Sequence, residues 1–196
     1  MTGELEVDDR VRCGWIDQSR LAPDDFIMYR DYHDTEWGQP LRDSKALFER
    51  VSLEAFQSGL SWLIILRKRE NFRRAFDRFE IDTVAGYTER DIERLMNDTG
   101  IVRNRAKIEA TIANARAVAD LDVDLGELLW SFAPEKRPRP AALSDVPAVT
   151  PESTAMAKEL KRRGFRFVGP TTAYALMQAT GMVDDHVASC WVPAPV

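Results

Sequence analysis

The stretch that decides the fold is LMNDTGIVRNRAKI, residues 95–108. It reads as the end of one helix, covering about 91–97, a turn centred on Gly100, and the start of a long helix running to about Leu121. Gly100 is expected to supply a positive φ to the turn. Backbone N–H groups at the start of the second helix would then face solvent and attract a phosphate. Arg103, Arg105 and Lys107 place positive charge nearby. Taken alone, the pattern also fits an ordinary helix–helix connection, since many such turns contain glycine.

Helical patterning extends outward on both sides. Leu47, Val51 and Ala55 recur at i, i+4 with Phe48 beside them, so a helix is expected from a Ser44 cap to Gly59. Another starts near Ser61, and its run Trp62-Leu63-Ile64-Ile65-Leu66 is apolar on all sides and so reads as buried. LGELLWSFA (125–133) is a short amphipathic helix. Thr150 followed by Pro151 marks a helix start, with Gly164 as its end. A further helix runs from about Pro170 to Gly181, and a last turn carries Asp184 to Cys190. Residues 11–43 read as irregular, with short helical turns. No strand run with hairpin turns appears, so the class is all-α. Residues 1–10 are expected to form a disordered acidic tail and 11–196 a single globular domain. The Pro-rich segment 134–150 within that domain reads as a loop without an assigned function.

The formal net charge of −5 argues, as a sum, against a nucleic-acid ligand. Local basic clusters counter it: Arg67, Lys68, Arg69, Arg73 and Arg74; the 103–107 group; and Lys161, Arg162, Arg163 and Arg166. These can equally be solvated helix faces. No apolar run reaches the ~20 residues of a membrane span, and the acidic start lacks the layout of a signal peptide, so a cytoplasmic setting is expected.

The chain has two cysteines and two histidines. His186 and Cys190 are spaced i, i+4 and would share one face of a helix. With Cys13 and His33 they would make a Cys2His2 set suited to zinc, although spacing alone does not bring residues 13–33 to 186–190. Glu54 interrupts an apolar helical stretch. It is either exposed or lines a pocket whose ligand satisfies it, because burying an unpaired carboxylate is costly.

RCGW (12–15), YHDTEWG (32–38), LEAFQSGLSW (53–62), KREN (68–71), GIVRNRAKI (100–108), RGFRFVGPTTAY (163–174), MQATG (177–181) and VDDHVASC (183–190) together resemble the 3-methyladenine DNA glycosylase I family, from about residue 11 to Cys190. The resemblance implies a helix-hairpin-helix glycosylase-type fold and a monofunctional enzyme that hydrolyses the N-glycosidic bond of N3-methyladenine in double-stranded DNA. It implies one structural zinc ion on Cys13, His33, His186 and Cys190, joining the N- and C-terminal segments. It places Trp15, Tyr29, Tyr32, Glu54 and Trp62 around the extruded base, and the charge of Glu54 makes it the expected catalytic carboxylate. Gly59 and Leu60 fall in the loop expected to fill the vacated stack, while Gly100, Arg103 and Arg105 are expected on the DNA side from the turn and charge read above. A monomer is implied. The family lacks the aspartate that follows the hairpin in related glycosylases, and the nearest acid after the 95–108 hairpin helix is Asp120. Three other readings stay open on the residues: a damage-binding protein without activity, a zinc-stabilised interaction module, and a glycosylase of different lesion range, such as N3-methylguanine.

Overall fold

The computed structural model describes residues 8–194. Among them are nine α-helices and no strand: α1 Pro23–Thr35, α2 Ser44–Gln57, α3 Trp62–Ala75, α4 Ile81–Ala85, α5 Glu89–Asn97, α6 Arg105–Ala119, α7 Leu125–Trp130, α8 Pro151–Arg162 and α9 Pro170–Ala179. Of the acidic tail expected at 1–10, residues 1–7 lie outside the described residues. Asp8 is paired with Arg12 at 2.6 Å.

Helix α2 is the centre of the molecule. Its residues from Leu47 to Phe56 are buried on every side, apart from Glu49, and it packs against α3, α6, α7 and α9. Phe48, Phe56, Phe72, Phe76 and Phe79 form the aromatic heart of one continuous core. Burial of such rings is the main stabilising term in a fold of this size. The N-cap of α2 is Asp43, which accepts from the Ala46 amide at 2.9 Å. The expected cap, Ser44, instead donates to Asp124, the cap of α7, at 2.5 Å.

Three expectations need correction. Residues 11–43 are not merely irregular, because α1 occupies 13 of them. Its apolar periodicity is weak because it is mostly half-buried. Pro23 at its first position and Asp24–Asp25 in its first turn are the start signals. The segment 184–190 is not helical. It is a series of turns closed by Cys190 N–H donating to Val187 O at 2.8 Å. Gly100 does not take a positive φ; those glycines are Gly38, Gly59, Gly164 and Gly181. What position 100 cannot tolerate is bulk, since a Cβ there would lie 2.9 Å from Asp98 Oδ1 and 3.2 Å from the Asn71 side chain.

Two non-helical straps complete the frame. Residues 180–194 cross over 37–41, with Leu41 N–H donating to Thr180 O at 3.1 Å. The crossing is so close that a Cβ on Gly181 (φ +72°) would sit 2.7 Å from Gly38 O. The Pro-rich strap between α7 and α8 contains a short 3-10 turn, Leu143–Asp145. Arg137 fastens it to Asp185 at 2.8 Å and Arg139 to Asp184 at 2.7 Å.

Candidate active site

Helices α1, α2, α3 and α9 meet the Pro-rich strap around a cavity of about 320 Å³. That is at the small end of the ~300–1,000 Å³ range of ligand pockets. Its walls include Trp15, Tyr29, Tyr32, Glu54 and Trp62, so the five residues singled out as a base pocket do converge. The rings sit at tilted angles, with centroids 5.0 Å apart for Trp15–Tyr29 and 5.5 Å for Tyr32–Trp62. The sequence reading missed Trp37, Gln57, Leu143, Val146, Ala175, Gln178 and Asp185 on the same walls. Gln57 was visible in principle, one helical turn beyond Glu54 on the same face. Leu143 and Val146 carried no local signal, since the strap has no periodicity of its own.

Glu54 is 5% exposed. No described residue donates a hydrogen bond to its carboxylate. Burial pushes its pKa up to about 7, with the nearby Arg50 guanidinium pulling the other way. Arg50 cannot neutralise it fully, because Arg50 is already committed to the Tyr32 hydroxyl at 2.8 Å and to Glu36. The indole N–H of Trp62 is buried and also lacks an acceptor among the described residues. The Trp62 N–H is thus a buried donor left without a partner, and the Glu54 carboxylate lines the cavity without a donor from the described residues.

Asp185 is an acid on the cavity wall that follows the α8–α9 pair, whereas Asp120, which follows the α5–α6 pair, is not among the lining residues. The Asp185 carboxylate is fully engaged: Tyr174 donates at 2.5 Å, Gln178 at 2.9 Å and Arg137 at 2.8 Å. The α8–α9 turn contains Gly164 (φ +94°) and Phe167, which is 43% exposed at φ +57°. The glycines and aromatics of RGFRFVGP were the available signal.

The α5–α6 turn is tied down. Gly100 N–H donates to Asp98 Oδ1 at 2.7 Å, and Gly100 O accepts from Lys68 and Asn71, each at 3.1 Å. The amides of Arg105 and Ala106 have no acceptor among the described residues. Arg103 is exposed without a carboxylate partner among them, whereas Arg105 is shared between Glu89 (2.7 Å) and Glu109 (3.2 Å). Lys107 is not on the surface at all; it is 7% exposed and points inward. The other basic clusters are largely paired faces: Arg67 with Asp25, Arg69 with Glu36, Arg73 with Glu49, and Arg162 and Arg163 with Glu159. Gly59 (φ +79°) and Leu60 (38% exposed) form the tight turn after α2.

Behind Trp15 and Trp37, Cys13, His33, His186 and Cys190 form a buried cluster that can hold a metal ion, their ligand atoms all within 4.8 Å of one another. Sγ of Cys190 lies 3.5 Å from His186 Nδ1 and 3.7 Å from His33 Nε2, and Sγ of Cys13 lies 3.6 Å from His186 Nδ1. A tetrahedron with bonds of ~2.3 Å to sulfur and ~2.0 Å to nitrogen has S···N edges of about 3.6 Å. The outer ring atoms are held as well. His33 Nδ1 lies 2.7 Å from Asp34, which Arg12 clamps, and His186 Nε2 lies 3.2 Å from Trp37 O. Such contacts fix tautomers and leave the remaining nitrogens free to face an ion. Burial pushes the Cys13 thiol up to about 12, so a cation is what would make thiolate favourable there.

An all-helical frame with an aromatic slot around an uncompensated carboxylate defines a pocket for a flat, positively charged or amino-bearing ligand. The family model described as methyladenine glycosylase matches residues 23–193, and the chain belongs to that family. It is 46% identical over 184 residues to DNA-3-methyladenine glycosylase 1 of Escherichia coli (strain K12), covering 91% of this chain and 95% of the relative. It is 42% identical to DNA-3-methyladenine glycosylase of Haemophilus influenzae, covering 92% and 96%. Among solved structures, a crystal structure of 3-methyladenine DNA glycosylase I superposes with a TM-score of 0.86 at 44% identity, covering 92% of this chain and 98% of the other. A tyrosine-to-phenylalanine variant of such an enzyme, in complex with 3-methyladenine, superposes with a TM-score of 0.85 at 36% identity, covering 94% and 98%.

Proposed function

We propose that the protein is a monofunctional DNA glycosylase that removes N3-methyladenine from double-stranded DNA and leaves an abasic site, as a monomer in the cytoplasm. The observation that carries this reading is the buried Glu54 carboxylate, unpaired in an aromatic cavity.

Methylation at N3 makes the nucleoside cationic. When that base is turned out of the duplex, it brings positive charge next to Glu54, and the carboxylate falls back into its ionised form. Glu54 accepts from the exocyclic amino group, and Trp15, Tyr29, Tyr32 and Trp62 enclose the ring. Guanine would present an oxygen to the carboxylate, which is repulsive. Unmodified adenine brings no charge to offset the burial cost. As the bond from C1′ to N9 breaks, its electron pair goes to the base, which leaves neutral, and the positive charge moves to the sugar. Glu54 stabilises that charge electrostatically. Water then bonds to C1′ and releases one proton. No lysine is among the residues lining the cavity, so a Schiff base and strand cleavage are not part of the proposed reaction.

Gly59 and Leu60 fill the vacated stack. The Gly100 turn, Arg103 and Arg105 meet the phosphate backbone, with the free amides at 105–106 as donors. Cys13, His33, His186 and Cys190 hold one zinc ion as a closed four-ligand site that ties the two ends of a single domain, residues 11–196, together. The test is release of 3-methyladenine from methylated DNA by the Glu54→Gln and Glu54→Ala variants. A loss of about 100-fold or more is expected from removing a charge aimed at the transition state, and full activity in both variants overturns the reading.

A further inference from the structure

We propose that Lys107 is a positioning residue for base extrusion: its ammonium on α6 pins the turn that follows α2 and holds Leu60 at the mouth of the vacated stack. This rests on the gap-filling role proposed above for Gly59 and Leu60.

A helix leaves its last carbonyls without internal partners. In α2 these fall directly after Glu54. The Ala55 carbonyl accepts from Ser58 N–H at 3.3 Å and the Gln57 carbonyl from Leu60 N–H at 2.6 Å. The two remaining carbonyls are taken by one side chain, since Lys107 Nζ donates to Phe56 O at 2.8 Å and to Ser58 O at 2.5 Å. Every carbonyl from Ala55 to Ser58 is thereby fixed.

The arrangement is costly. Lys107 lies in the first turn of α6, where a cation opposes the helix dipole, and it is buried without a carboxylate partner. It gains the negative end of α2 in return. Ending α2 requires none of this, because Gly59 at φ +79° already turns the chain. What the ammonium adds is a rigid link between two surfaces. The Asn104 side chain accepts from the Lys107 amide at 3.1 Å, so one helical turn carries the exposed Arg103 side and, through Lys107, the Leu60 turn. Leu60 is 38% exposed, and Gly59 has open space around its Cα. Without an anchor, that turn has nothing to push against when it enters a duplex.

The experiment compares single-turnover release of 3-methyladenine from a paired site and from the same lesion in a bulge, where no pair has to be broken. Binding of free 3-methyladenine is measured alongside by tryptophan fluorescence. For Lys107→Met the expected result is a fall of about tenfold in release from the paired site, with release from the bulge and free-base binding within about twofold of the parent. Equal losses on both substrates, or no loss on the paired site, overturn the proposal. Leu60→Ala is run in parallel. If it shows no selective loss, the gap-filling reading fails; if it does and Lys107→Met does not, only the role of Lys107 fails. Lys107→Gln, which reaches one carbonyl, is read in the same way should the methionine variant not fold.

Discussion

Two buried polar constellations lie back to back across Trp15 and Trp37, and they differ in one respect. In the Cys/His cluster every group faces a partner: sulfur faces imidazole, the outer ring nitrogens face Asp34 and Trp37 O, and Arg12 closes the end. In the cavity, the Glu54 carboxylate has no donor and the buried Trp62 indole N–H no acceptor among the described residues. Buried polar groups that satisfy one another hold a fold together, while those left open mark where a ligand belongs. The shared wall matters too, because Trp15 lies 5.0 Å from His33 and Trp37 lies 4.7 Å from His186 between ring centroids. The imidazoles of the cluster thus pack edge-on against two rings that also line the cavity.

The comparison can be broken from either side. On the open side, Glu54→Gln is expected to lower base release about 100-fold or more while raising stability. Glu54 holds its proton more tightly folded, at about 7, than its ordinary 4.5. Its favourable contribution is therefore full below about pH 4.5 and is lost as pH rises through about 7. Denaturant unfolding across that window should show stability falling with pH in the parent and a flatter profile in the variant. An unchanged slope would mean that Glu54 is not the buried acid described here. On the closed side, Cys190→Ser should lose bound metal and at least ~4 kcal/mol of stability, read by metal analysis and calorimetry. Retention of one metal per chain would remove Cys190 from the ligand set.

Gly181→Ala strikes both regions at once, since its Cβ would collide with the 38–40 backbone under the strap that carries Asp185, His186 and Cys190. A loss of ~2 kcal/mol is expected from the clash and the positive φ together, with base release falling in proportion to the unfolded fraction. The smallest effect separates two arginines. Arg103→Ala should weaken DNA binding a few-fold and lower the salt slope by about one, whereas Arg105→Ala, already shared by Glu89 and Glu109, should change it less. Equal effects in a salt titration would erase that distinction.

What the sequence made legible followed from local rules. Helical periodicity located α2, α3, α5, α6, α8 and α9, and Thr150–Pro151 marked the start of α8 because caps are encoded within four residues. Trp15, Tyr29, Tyr32 and Trp62 were assigned to the pocket through resemblance, whereas Glu54 also carried a local signal, a carboxylate inside an apolar helical stretch. Apart from the α2 cap and the φ of Gly100, the misses are non-local. Helix α1 is stabilised by what lies over it. The approach of His186 to Cys190 depends on turns held by the crossing strap and not on a helical face. Lys107 reads as a surface cation in a basic run until the end of α2 is seen against it. Arg137 and Leu143 acquire a place only when the Pro-rich strap folds back 40 or more residues to meet Asp185 and the mouth of the cavity.

The crossing of 180–194 over 37–41 has a consequence for biosynthesis. Cys13 and His186 are 173 residues apart in the chain, and His33 and Cys190 are 157 apart. A nascent polypeptide exposes the first half of the ligand set long before the second half has been translated. The cavity wall at Ala175, Gln178 and Asp185 arrives in the same late interval. The Cys/His cluster and the cavity therefore wait on the same late-translated segment, and a chain terminated before residue 175 lacks half of the cluster and one wall of the cavity.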